Sequence, residues 1–307
     1  MTSRNGLTVL GILVWSAVAL TAWPHCKSLR TEALTVSAAP LTEPEEDEVA
    51  AGCSDMHFRF DHRDAVVQSE ERTISKAEAP TLRVTAESNG GIQVSGWDRD
   101  VYSVTLCKAA EEDGDAKATL SQIHMSFQGG ELGITGPSSH HGWSAHLLIR
   151  SPKAAAMELR AHNGPLSLYD VDGVLKVRAQ NGPVTVSGCS GELDLNSENG
   201  PLTLENNMGK QTVHTHNGPV TVTLAGDSWN GGGLDAEAMN GPVTLQIPSG
   251  YRSGVALESK GYSPFECRAS VCSEGRKTWD ENYKRIEFGS GPTVVRVSTQ
   301  NGPVSVH

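Results

Sequence analysis

The chain has 307 residues, with 25 Lys and Arg against 36 Asp and Glu and a net charge of −11. This acidic balance excludes a general nucleic-acid binder, whose surface must neutralise phosphates, and disfavours a polybasic membrane-surface protein. Hydrophobic residues at 37%, aromatics at 5% and 32 glycines suit a thin, repetitive β fold better than a thick-cored globule.

Residues 7–23 form the one apolar run that approaches spanning length, with Arg4 before it and Lys27 and Arg30 after it. Residues 1–23 read as an export signal, with a small-residue cleavage site at Ala17-Val18-Ala19, or as a single membrane anchor. Either exports the remainder, to the periplasm or cell surface, and membrane contact is expected only through residues 7–23. The cations beyond the run weaken the anchor, because positive charge favours the cytoplasmic side. Cys26 follows Pro24-His25, which is not the small-residue pattern of a lipoprotein signal. Residues 24–52 read as an acidic flexible linker. Within it, Glu43-Pro44-Glu45-Glu46-Asp47-Glu48 repels itself and contains a proline that blocks regular structure.

The six cysteines are Cys26, Cys53, Cys107, Cys189, Cys267 and Cys272. Export permits disulfides. Cys267 with Cys272, close together in a loop-like stretch, is the leading pair, and Cys53 with Cys107 is the second. Cys189 is left over near a turn. A zinc site would want two close pairs or matching histidines, so no metal or other cofactor is expected.

Residues 53–307 are expected to form one β domain, irregular over 53–150 and regular over 151–307. The irregular part predicts strands at 81–87, 92–95, 101–107, 121–127, 131–135 and 145–150, with a hairpin turn at Gln128-Gly129-Gly130 and no helix. It would cap a stack that must not pair at its edge.

The regular part carries a repeat. Asn-Gly-Pro recurs as Asn163-Gly164-Pro165, Asn181-Gly182-Pro183, Asn199-Gly200-Pro201, Asn217-Gly218-Pro219, Asn240-Gly241-Pro242 and Asn301-Gly302-Pro303. The first four are 18 residues apart, and the fifth is delayed by five extra residues near 228–232. A second glycine follows nine residues later in several units, as at Gly173, Gly191, Gly209 and Gly250. Apolar residues stand three and five positions after each Asn (Val184, Val186) and six and four before it (Leu175, Val177), with Gln211 the polar exception. Two positions before each Asn the residue is small: Ala161, Ala179, Ser197, Thr215, Ala238, Thr299. This period-two alternation buries one face of each strand. The return of the same residues every 18 positions predicts stacked coils of two strands, a single-stranded parallel β-solenoid, rather than a chain of antiparallel hairpins. At the corner, Asn and Gly tolerate positive φ, and Pro opens the next strand where a missing N–H costs least. Stacked asparagines would hydrogen-bond as a ladder.

These units resemble the bacterial "putative-adhesin" family of β-strand repeats, a group of unknown function with a β-solenoid domain. The resemblance covers about residues 80–307. Asn89-Gly90-Gly91-Ile92-Gln93-Val94 is similar to the family's first strand turn, and Gly289-Ser290-Gly291 through Thr299-Gln300-Asn301-Gly302 to its closing pattern. Pro after Asn-Gly departs from the acidic or polar residue more usual there. The resemblance implies the fold and an adhesin-like role.

Four positions after each Asn, Ser167, Thr185, Thr203, Thr221, Thr244 and Ser305 form an outward hydroxyl row, a candidate surface for a glycan, ice or a partner. Thr is also a favourable exposed strand residue. His162 and His216 occupy equivalent corners three coils apart, roughly 14 Å at 4.8 Å per coil, too far for one ion. His214 and His216 share a face, and His140-His141 lie in a Ser-Gly-rich loop. The outer acids Asp170, Asp172, Glu192, Asp194, Glu205 and Asp235 are scattered, with Asp194 placed to pair with Lys176. No Gly-x-Ser-x-Gly, His-Glu-x-x-His or phosphate-loop pattern occurs. The expectation is therefore an exported, non-catalytic, structural or binding module of the cell envelope, whose partner is an envelope protein or glycan. The rival is a carbohydrate-acting β-helix enzyme, lyase or hydrolase, which would set two carboxylates about 5–10 Å apart in a groove.

Overall fold

A computed structural model of the chain describes residues 49–307 apart from 61, 87–89, 113–114, 139–141 and 262. The export segment, Cys26, the acidic run 43–48, Asn89 and His140-His141 lie outside the described residues. The fold is all-β: two 12-stranded sheets, most of whose strand pairs are parallel. Each regular unit supplies an eight-residue strand ending at its Asn, then Gly-Pro, then a four-residue strand in the other sheet. We call these the long-strand and short-strand sheets.

Strand Val174–Asn181 pairs in parallel with Ala156–Asn163 on one side and Glu192–Asn199 on the other. Strand Val184–Ser187 lies likewise between Leu166–Tyr169 and Leu202–Glu205. The register sets each residue beside its counterpart 18 positions away: Leu175 beside Met157 and Leu193, Val186 beside Leu168 and Leu204. The inward rows of both sheets are buried and meet as one continuous core. Gln211 is buried in this core, its amide donating to the Met208 carbonyl at 3.0 Å. Asn207 is a second internal polar residue. It accepts from the Cys189 N–H and donates to the Val186 carbonyl, both at 2.8 Å.

The asparagines form a continuous ladder. Each Asn181, Asn199, Asn217, Asn240 and Asn301 side-chain amide donates to the preceding Asn oxygen, at 2.9 to 3.1 Å. They do so as strand-terminal residues. Among the described residues the non-glycine positive φ values are at His62, Asp170 and Asn206. Asp170 and Asn206 belong, with Gly188, to the opposite corner. The corner glycines Gly182, Gly200, Gly218 and Gly241 stand at positive φ, from 128° to 154°, and meet a second constraint besides. A Cβ on Gly200 would lie 2.3 Å from the Gly182 carbonyl oxygen, and one on Gly241 would lie 2.0 Å from that of Gly218. Stacked corners thus touch backbone to backbone, and only a residue without a side chain fits. The proline carbonyl stays in the ladder: Pro201 accepts from the Val184 N–H at 2.9 Å.

Spatial order departs from chain order at both ends. The unit Thr81–Ala86 and Ile92–Trp97 stacks directly on Ala156–Asn163 and Leu166–Tyr169. Outside it lies a later unit, Glu131–Thr135 and Trp143–Pro152. Antiparallel strands then finish the stack: Val101–Glu111 pairs with Trp143–Pro152 and with Arg63–Ser75, and His124–Gln128 pairs with Glu131–Thr135 across the Gly129-Gly130 turn. At the other end, Ser290–Asn301 and Val304–Val306 are intercalated between the unit before them in space, Gly233–Asn240 and Val243–Gln246, and the unit Ser253–Lys260 and Phe265–Cys267. Antiparallel Tyr283–Phe288 and Arg276–Trp279 close that sheet.

Two elements differ from expectation. Arg63–Ser75 is a 13-residue strand that the apolar pattern does not announce, since most of its side chains are exposed. A short helix, Ala116–Leu120, begins at Asp115, whose carboxylate accepts from the Ala118 N–H at 3.1 Å. The strand expected from 121 accordingly starts at His124. Disulfides join Cys53 to Cys107 and Cys267 to Cys272, and Cys189 is a buried free thiol.

Leu193→Asp is expected to unfold the protein by placing an unpaired charge in the core, read as loss of the cooperative thermal transition. Gly200→Ala should cost roughly 3 kcal/mol or more, and Asn199→Ala about 1 kcal/mol, in urea denaturation. Equal losses would show that the ladder, rather than the backbone contact, governs the corner.

Candidate functional site

The register gives each sheet an outward face built of rows, and the two faces differ in charge. On the long-strand face, Glu131, Arg83, Glu158, Lys176 and Asp194 stand side by side on successive strands with alternating sign. Arg83 reaches Glu131 at 3.2 Å and Lys176 reaches Glu158 at 3.6 Å. Asp194 therefore does not pair with Lys176, which Glu158 engages. Its partner is Arg178 at 3.1 Å, whose guanidinium hydrogen bond holds the Asp194 carboxyl below its usual range. Further along, Glu258 is 3% exposed and accepts from Arg285 at 2.5 Å and Arg296 at 3.1 Å. Arg285 and Arg276 also engage Glu287, which holds that carboxyl low. This network ties the intercalated strand, through Arg296, to its neighbours. A shallow cleft of about 690 Å³ lies over it, lined by Asp235, Glu258, Arg285 and Arg296, charges that already neutralise one another.

The short-strand face carries the hydroxyl row. Ser167, Thr185, Thr203, Thr221, Thr244 and Ser305 stand in register on successive strands, each half-buried. The Thr244 and Ser305 hydroxyls are 3.1 Å apart. Beside the row, Pro165, Pro183, Pro201, Pro219, Pro242 and Pro303 are all exposed. The row on the other flank reads Tyr169, Ser187, Glu205, Thr223 and Gln246, with a single acid. Gln93 continues the hydroxyl row toward the N-terminus. Its side chain binds the backbone of Ala50 twice, donating to the carbonyl at 2.8 Å and accepting from the N–H at 3.3 Å.

Most of the outer acids are engaged by local partners. Glu192 pairs with Lys210 at 2.7 Å, Asp172 accepts from the Ser190 hydroxyl at 2.7 Å, and Asp235 lies 3.8 Å from Arg296. His214 and His216 each face a glutamate, Glu237 at 3.8 Å and Glu198 at 4.0 Å. No group of three or more His, Cys, Asp or Glu placed to hold a metal occurs among the described residues. Burial pushes the Cys189 thiol up to about 12, which keeps it protonated and a poor nucleophile. His146, edge-on to Phe58 at 5.2 Å, is pushed down to about 4 by burial. Neither this histidine nor the compensated charge network was visible in the apolar periodicity; both depend on which rows become neighbours.

No family model matches the chain, and no curated protein matches it. Solved structures similar to it include a putative cell adhesion protein from Clostridium sporogenes, at 12% identity over 78% of this chain and 99% of that one, with a TM-score of 0.32. A putative adhesin from Bacteroides fragilis matches at 9% identity over 78% and 96%, with a TM-score of 0.28. A putative lipid binding protein from Parabacteroides distasonis matches at 12% identity over 78% and 96%, with a TM-score of 0.30.

His146 predicts an acid-sensitive fold. Its folded pKa lies below the unfolded value of 6.5, so between the two the unfolded chain binds more protons. Stability is full above about 6.5 and is lost as pH falls toward about 4, by an amount on the order of 3 kcal/mol. Urea denaturation at pH 7 and pH 4.5 should show the loss, and His146→Gln should flatten it.

Proposed function

We propose that the chain is an exported, non-catalytic binding module of the cell envelope, and that residues 53–307 form a β-solenoid of 18-residue coils. Its contact surface is the hydroxyl and proline face of the short-strand sheet, and its partner is an envelope glycan or an extended protein segment. The carrying observation is the segregation of charge. Along Ser167 to Ser305 like residues stand on like residues without charge, whereas the opposite face is charged, with one row, Glu131 to Asp194, alternating in sign. A hydroxyl costs far less than a charge to take out of water, and because each both donates and accepts, a polar partner can replace the hydrogen bonds that water gives up. Flat rings of proline beside it supply apolar contact at no side-chain entropy cost. Gln93, in the same row, grips the Ala50 backbone through both its N–H and its carbonyl and so provides an internal precedent for main chain held on this face.

The two disulfides support an oxidising compartment. No helix among the described residues is long and apolar enough to cross a membrane. Any anchor would be residues 7–23, in keeping with a module held at the envelope or released into it.

The test is cosedimentation of the purified protein with isolated envelope fractions. Thr185→Lys with Thr203→Lys should weaken binding about tenfold by placing two charges that must be desolvated in the middle of the row. Thr203→Ala should leave the melting temperature within a degree or two, because the half-buried side chain lies on the outer face of a strand, away from the core. Undiminished binding by the double lysine variant would remove this face as the contact surface.

A further inference from the structure

The row next to the alternating one on the long-strand face carries a like-charged pair. Arg160 and Arg178 stand directly opposite each other on neighbouring parallel strands, about 4.8 Å apart along the stack. Like charges so placed destabilise a sheet. Arg178 is engaged by Asp194. Among the described residues Arg160 has no hydrogen bond or ion pair. The two guanidiniums border a groove of about 560 Å³ that runs across the strands. One wall is Arg160, Arg178 and Asn196, and the other is His162, Gln180 and Glu198. Between the walls the outward rows leave a gap over Ala161 and Ala179, whose side chains are buried on the inner face.

We propose that this groove binds a linear anionic glycan, with a carboxylate of the chain seated between Arg160 and Arg178. A planar guanidinium grips a carboxylate through two parallel hydrogen bonds, and the carboxylate supplies the negative charge that the Arg160–Arg178 pair lacks. The amides of Gln180 and Asn196 lie in the same groove and can exchange hydrogen bonds with sugar hydroxyls. The repeat along the groove, about 4.8 Å per coil, is close to the advance of one sugar ring in an extended chain. An anionic bilayer fits less well, because Glu158, Asp194 and Glu198 flank the arginines and would face the lipid headgroups. This site is on the sheet opposite the hydroxyl row, so the two succeed or fail separately.

The experiment is a binding titration of the purified full chain at low salt with an oligogalacturonate. Its neutral methyl ester, inorganic phosphate and phosphatidylserine vesicles serve as comparisons. Saturable binding of the acid oligomer alone is expected. It should weaken at least about tenfold in Arg160→Gln and fall with added salt. Arg160→Lys, which keeps the charge and loses the fork, should fall between the two. Thr203→Lys should bind the oligomer as the unaltered protein does. Without ligand, Arg160→Gln should melt no lower than the unaltered protein, since it removes a like-charge contact. Undiminished binding by Arg160→Gln, no binding of the acid oligomer by the unaltered protein, or equal binding of phosphate or vesicles would each overturn the assignment. If Arg160→Gln fails to fold, Arg160→Lys carries the test, and its binding the oligomer like the unaltered protein would overturn it.

Discussion

The structure depends on one contact: the corner of each unit rests on the corner of the next, backbone against backbone. Gly164, Gly182, Gly200, Gly218, Gly241 and Gly302 form this column, and Gly90 extends it beneath Gly164. With no Cβ between them, successive turns approach closely enough for the glycine N–H to reach the next asparagine carbonyl at 2.9 to 3.0 Å. That approach draws the asparagine side chains into their ladder and lets the flanking strands pair without a slip. Since strands alternate faces with period two, a slip of one residue would exchange core for surface along a whole unit. The column therefore fixes the register, and the register fixes everything the surface presents.

A fixed register has opposite consequences for neutral and charged rows. A threonine stacked on a threonine loses nothing, so the short-strand face repeats itself. A charge stacked on the same charge is penalised, so the long-strand face alternates, as Glu131, Arg83, Glu158, Lys176 and Asp194 do. The same arithmetic makes a departure informative. Where Arg160 meets Arg178, the face carries an uncompensated charge that the fold itself does not need.

Parallel stacking leaves exposed edges, and both ends solve this in the same way. Each end sets one unit out of chain order and adds antiparallel strands: Arg63–Ser75 with Val101–Glu111 at one end, and Arg276–Trp279 with Tyr283–Phe288 on the long-strand sheet at the other, where the short-strand sheet finishes on parallel Phe265–Cys267. The disulfides sit in these irregular ends, where the corner column and the asparagine ladder no longer act. Glu258, buried between Arg285 and Arg296, belongs to the same solution. The Coulomb attraction of a buried carboxylate for two cations holds the intercalated strand between neighbours with which it shares no tight sequence connection.

How much of this the chain announces depends on the range of the interaction involved. The strands through Leu175, Val177, Val184 and Val186 are legible because alternation is local and the repeat multiplies it. The hydroxyl row is legible for the same reason, and so is the place of each asparagine. The full reason for the glycines is not, because beside their positive φ of 128° to 154° at Gly182, Gly200, Gly218 and Gly241 they face a carbonyl 18 residues or more away; the asparagines, expected in the turn, end the strands. Arg63–Ser75 is hidden because an edge strand with few buried residues has no alternation to read. The partner of Asp194 is hidden because Lys176 and Arg178 are both within reach and only the demand of Glu158 on the lysine decides between them. The position of residues 290–306 has one distant sign: Asn301 completes a ladder that Asn240 leaves open, across 61 residues of chain. A unit missing its stacking partner in sequence, and a later unit carrying the same Asn-Gly-Pro corner, already imply that the second is placed against the first. The same comparison of rows in register, rather than a search for motifs, brings Arg160 and Arg178 into view.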